Sequence, residues 1–259
     1  MKFSIKTLAA AVVMAAAATG ANAAIDNGAG GNGELFFNIW DANGSYTRSL
    51  EVSIDSFQGQ LAAAGNLNLS WTADATFNSF MSGVADVNAL KWNVMATDIQ
   101  GARRVLQTYT TKPAVGIKAD IVRSVATAIN GTLATGATAI NAKLGATDSA
   151  IFANTDVGYA GKNTMGTNFN NSLNFSNAGT VGNNSAATAL NFMRIDAGAT
   201  GIAASTYTQY SDGANKVNFY LDSTNTLHIA AVPEPESYAM LLAGLGMVGF
   251  MARRRNKRA

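Results

Sequence analysis

Along the first third of the chain, apolar and polar side chains alternate with a period of two. Leu35, Phe37 and Ile39 alternate with Phe36, Asn38 and Trp40, which predicts a strand over residues 35–40. Apolar groups on both faces of that strand predict that it is covered from both sides. Asp41-Ala-Asn43-Gly44 supplies turn chemistry, so residues 45–54 are expected to run back as the hairpin partner. Residues 66–71 put Leu67, Leu69 and Trp71 on one face and Asn66, Asn68 and Ser70 on the other. Residues 91–97 and 103–109 form a second expected hairpin across the turn at 98–101.

The period then lengthens. Ile117, Ile121, Val125 and Ile129 recur every fourth residue, which predicts an amphipathic helix over 115–129 stopped by Gly131, followed by a second helix within 132–144. Residues 145–187 are rich in Gly, Asn and Thr and read as long loops plugged by Phe152, Tyr159, Phe169 and Phe175. Strands are expected again at 189–195 and 206–210. A closing hairpin pairs 216–222 with 226–231, with Val217, Phe219 and Leu221 on one face of the first strand and Leu227, Ile229 and Ala231 on one face of the second. The expected fold is mainly β: a β-sandwich-like α+β body with one or two accessory helices around a single core.

Both ends of the chain depart from this texture. Lys2 and Lys6 precede an apolar run at 8–18, and Ala21-Asn22-Ala23 has the small-x-small form of a signal-peptidase site, so residues 1–23 read as a signal helix cut after Ala23. At the other end, Pro233-Glu234-Pro235 fixes φ twice and removes two amide donors, giving an extended, accessible spacer. Tyr238, Leu241, Leu242, Leu245, Val248 and Phe250 lie in an uncharged stretch that reads as a short transmembrane helix. The stretch is shorter than the about 20 residues of a full span. Arg253, Arg254, Arg255, Lys257 and Arg258 follow it and are expected to stay on the cytoplasmic side.

The triplet, apolar stretch and Arg-rich end, in that order over residues 232–259, resemble the PEP-CTERM sorting signal of Gram-negative bacteria. The resemblance implies recognition by exosortase, a membrane transpeptidase, and transfer to the cell surface or to an exopolysaccharide matrix. The signal helix at residues 1–23 independently predicts passage through the Sec translocon and signal peptidase, and the C-terminal apolar stretch predicts transient anchoring in the inner membrane. Residues 33–48 and 90–96 are similar to stretches of other PEP-CTERM proteins, which implies a shared β-rich body and carries over no catalytic residue.

Setting the two ends aside changes the charge. The whole chain is +2, but residues 24–232 contain 11 basic and 14 acidic side chains, so the exported body of residues 24–231 is acidic. A nucleic-acid partner, which needs a basic face on the body, is not expected. The absence of cysteine removes disulfides, thiolate nucleophiles and sulfur ligands, so packing must supply the stability.

Candidate chemistry is sparse. His228, the only histidine, falls on the opposite face from Leu227 and Ile229 and reads as a solvent-side strand residue. Asp41, Asn43 and Ser45 resemble the start of a calcium loop, but the glycine stands fourth, not sixth, so a hairpin turn is the better reading and no metal is expected. Asp41, Glu51, Asp55, Asp74, Asp86 and Asp98 are the candidates for a glycosidase carboxylate pair, though they sit mainly at expected turns and strand ends. The G-x-G-x-x-G spelled by residues 28–33 follows no strand and reads as a flexible new N-terminus. Trp40, Trp71, Trp92, Tyr207 and Tyr210 are candidates for sugar stacking, with core filling as the default role. The sequence therefore predicts an exported, non-enzymatic surface or matrix protein without cofactor. The alternatives are a secreted glycan-active enzyme with the same address and a protein retained in the inner membrane.

Overall fold

A computed structural model describes residues 24–231 apart from 65–66, 102, 112–115, 132–135, 145–146, 163–175, 182–188, 199 and 211–216. Among the described residues, eleven strands form a single antiparallel sheet. They are β1 (Glu34–Trp40), β2 (Gly44–Ser53), β3 (Asn68–Trp71), β4 (Lys91–Thr97), β5 (Arg104–Tyr109), β6 (Ser149–Ala153), β7 (Gly179–Thr180), β8 (Leu190–Asp196), β9 (Thr206–Gln209), β10 (Val217–Leu221) and β11 (Leu227–Ala231). Their spatial order is β3-β11-β10-β8-β5-β4-β1-β2-β6, with β7 beside β4 and β9 beside β8. The described residues also form four α-helices: α1 (Ile54–Ala64), α2 (Ala75–Ser82), α3 (Ala119–Asn130) and α4 (Gly136–Leu144).

The mainly β expectation holds, and its sandwich-like character takes the form of one curled sheet. Tyr46 and Leu50 of β2 share an apolar cluster with Phe219 of β10 and Leu227 of β11, although these strands stand far apart in the sheet order. Curling brings them together around Phe57 of α1 and Phe77 and Phe80 of α2. The opposite face carries a second cluster, in which Phe36, Trp40, Met95 and Met193 pack under Val122, Val125, Ala126 and Ile129 of α3 and Ile140 of α4. The body thus has two cores and not one. β1 belongs to both, with Leu35, Phe37 and Ile39 in the inner cluster and Phe36 and Trp40 in the outer one, as its two-sided pattern predicts.

Between the rings of the outer face runs a short polar ladder. Asn38 donates to the Asn93 side chain at 3.0 Å and accepts from the Thr47 hydroxyl at 2.7 Å, joining three neighbouring strands. All three side chains are buried, so a one-residue slip of β1 would strand them without partners. The ladder pins register where apolar packing alone is permissive.

The expected strands all form, with shifts of a few residues at their ends. The helix expected at 115–129 begins at Ala119, because Ile117 is tied by its N–H to the Tyr207 hydroxyl and Lys118 bridges Ala204. Gly131 ends it at φ 87°, a left-handed conformation in which a side chain is strained. Four elements differ from expectation. Helices α1 and α2 occupy stretches with no assigned structure, and β6 and β7 lie inside the region expected to be loops. Phe152 and Tyr159 are buried plugs as expected, whereas Phe169 and Phe175 lie outside the described residues.

Candidate functional site

Strand β11 is flanked on both sides, by β10 with the pair Phe219 and Ile229 and by β3 with the pair Leu69 and Ile229. The last described strand is therefore an interior one, paired on both sides and ending at Ala231. Near its beginning, Ile25 is 2% exposed, donates its N–H to the Asn141 side chain at 2.9 Å and accepts from the same amide at 2.8 Å. Residues 28–33 are not the flexible terminus expected of them. Gly28 bonds the Asp26 carboxylate and sits at φ 72° so close to β4 that a Cβ would run into the Thr97 carbonyl. The expected cleavage residues Ala21 and Ala23, the triplet Pro233, Glu234 and Pro235, the apolar helix and the five terminal cations all lie outside the described residues. Among the described residues, no helix is long and apolar enough to cross a membrane.

The six candidate carboxylates do not converge in a cleft. Asp41 accepts from the N–H groups of Asn43 at 2.8 Å and Gly44 at 2.9 Å and so closes the β1–β2 hairpin, the turn role expected of it. Asp86 takes the Asn88 N–H at 2.9 Å. Glu51 sits at φ 54° in an irregular stretch where Leu35 alone faces Leu50, Glu51 and Val52. Its N–H donates at 2.5 Å to Glu34, whose carboxylate also accepts from the Ser49 hydroxyl. Burial raises the Glu34 pKa, and these bonds only partly offset it.

Asp55 and Asp98 do meet, through a cation that sequence reasoning overlooked. Arg104 donates from Nε to Asp98 at 2.6 Å and from Nη1 to Asp55, also at 2.6 Å. Both carboxylates thus pair with one guanidinium set between them, a geometry unlike that of an acid and its base facing each other across a substrate. The cluster joins α1 to the β4–β5 hairpin. Asp98 and Arg104 face each other across a tight turn, which was readable from sequence, whereas Asp55 lies far away along the chain.

Asp74 stands at a small crevice along the seam of the curl, lined by Phe37, Tyr46, Arg48, Trp71, Asn225 and Leu227. The crevice encloses about 10 Å³, enough for one water. Asp74 caps α2 by accepting the Phe77 N–H at 2.6 Å and takes the Tyr46 hydroxyl at 2.7 Å. Burial pushes the Asp74 pKa up, but the bonds from Tyr46 and Phe77 outweigh it and hold the carboxyl below its ordinary value. Burial first, and the Asp74 carboxylate second, push the Tyr46 phenol well above its usual range. Arg48 spans the seam to the Thr72 carbonyl at 2.7 Å.

His228 is on the outer face, as expected. Its ring stacks on Tyr220 at 4.8 Å and its Nε2 lies 2.9 Å from Asp222, which also accepts from the N–H groups of Thr224 and Thr226 in the turn. Trp40, Trp92 and Tyr210 are buried, while Trp71 and Tyr207 are partly exposed.

A mainly β body whose last described strand is an interior one, followed in sequence by a Pro-Glu-Pro triplet, an apolar stretch and a cationic end, has the order of a folded cargo and its address. The family model of the PEP-CTERM protein-sorting motif matches residues 231–255, and the chain is a PEP-CTERM protein, exported and sorted by exosortase to the cell surface. No curated protein and no solved structure matches the chain.

Proposed function

We propose that the body is a structural or adhesive component of an exopolysaccharide matrix, delivered there after transient anchoring in the inner membrane, and not an enzyme. The observation that carries this reading is the continuity of β11 with the sorting motif, which begins at the last residue of that strand. Such a junction holds the body as compact cargo close to the membrane until the tail is cut. The engagement of Asp41, Asp55, Asp74, Asp86 and Asp98 in caps and ion pairs supports a non-catalytic role, since a hydrolase needs one carboxyl group kept protonated beside another that is not.

Intact-mass measurement on protein from fractionated host cells tests the reading. The expected product has lost mass near Ala23 and near Pro233–Pro235, and it sediments with the matrix unless exopolysaccharide synthesis is blocked. An uncut C-terminus in the inner-membrane fraction would make the tail a permanent anchor and end the matrix reading. Release of reducing sugar from that matrix by the pure protein would replace it with the enzyme reading.

A further inference from the structure

Helices α3 and α4 pack on the outer face over β4, β5, β6 and β8, and no described helix covers the outer face of β10, β11 and β3. The side chains there follow from register. One row runs Ser70, His228, Tyr220 and the next runs Asn68, Ala230, Asn218, Asn191 across β3, β11, β10 and β8. Their neighbours along each strand, Leu69, Ile229, Phe219 and Phe192, belong to the inner cluster, which orients both rows outward. Asn68 and Ser70 are exposed, and the other five are partly exposed.

Two features set this surface apart from an ordinary solvated sheet face. Among its described residues it has no Lys, Arg or Glu, and the one described carboxylate at its margin, Asp222, is occupied by the turn and by His228. Its polar groups are amides and a hydroxyl: Asn68, Ser70, Asn191 and Asn218 make no side-chain hydrogen bond to another described residue. Beside this amide row lies the Tyr220–His228 stack, whose rings are inclined by only 13°. Amides present a donor and an acceptor together, which suits vicinal hydroxyls, and flat aromatic pairs suit the apolar faces of sugar rings. The lack of a Lys or Arg among the described residues of this face favours a neutral ligand over an acidic one.

The geometry points to this face as a binding platform for a neutral polysaccharide strand, with Tyr220 and His228 as the stacking surface and Asn68, Asn191 and Asn218 as the hydroxyl-reading row. The inference rests on the matrix reading and names the surface through which contact is made.

Co-sedimentation of the full-length protein with the host's own exopolysaccharide, with insoluble cellulose as a neutral probe and with alginate beads as an acidic one, tests it. Wild-type protein is expected to be retained on the host matrix or cellulose. Tyr220→Ala and the exposed Asn68→Ala, each verified as folded by circular dichroism, are expected to weaken retention about tenfold, the effect of losing roughly one good polar or stacking contact. Unchanged retention of both variants would overturn the platform while leaving the matrix reading intact. Retention on alginate alone would overturn the neutral ligand class. Absence of wild-type retention on the host matrix would overturn the matrix reading and the platform with it.

Discussion

At the scale of single residues, this protein uses its few charges to close structure. Asp74 is the clearest case, because one carboxylate caps α2 and satisfies the hydroxyl of the buried Tyr46. Asp74→Ala is expected to cost about 2 kcal/mol, roughly half from the lost cap and half from the orphaned phenol, as measured by urea unfolding at pH 7. The sign of its pH dependence follows from the depressed folded pKa. Asp74 contributes fully above the ordinary carboxyl value of about 3.9, and the contribution is lost as pH falls through the folded value. The gap between wild type and variant should therefore narrow on acidification, and a gap that widened would contradict the assignment. The turn role of Asp41 was legible because an Asx turn is local. The Asp74–Tyr46 bond was not, because its partners are 28 residues apart.

At the scale of elements, the two-sided burial of β1 distinguishes this sheet from a simple half-buried one. Phe36 and Phe37 are adjacent in sequence, 1% and 3% exposed, and committed to opposite cores. Phe36→Ala and Phe37→Ala should each cost about 3–5 kcal/mol in chemical denaturation, since both remove a large buried side chain. A small loss for either would mean that its face is open. Strong local patterns made β1, the β10–β11 hairpin and α3 readable. Helix α1 was not, because Ile54, Phe57 and Leu61 are too few apolar positions for a clear period amid Gln, Gly and Ala. Its helical state follows from the place it fills, with Phe57 set edge-on to Phe192 at 5.3 Å and Tyr210 at 5.5 Å inside the curl. Strand β6 was hidden for a similar reason: five residues inside a polar stretch become a strand only because the edge of β2 offers them a ladder.

At the scale of the molecule, cargo and address are separate along the chain. The body's clusters are built within residues 25–229, so a chain ending at Ala231 should unfold at the same urea midpoint as the full-length protein, within about 0.5 kcal/mol. A larger loss would show that the tail is part of the fold. The sequence by itself determined the address, because proline geometry, an uncharged stretch and a cationic end act through local chemistry that no distant contact alters. It also determined the mainly β class and most strands, because a period of two is a property of neighbours in the chain. The tertiary structure alone decided that the sheet curls, that there are two cores, that Arg104 brings the distant Asp55 to Asp98, and which sheet face no described helix covers. Each of these depends on contacts between residues far apart in sequence, whose closure depends on the packing of the whole chain.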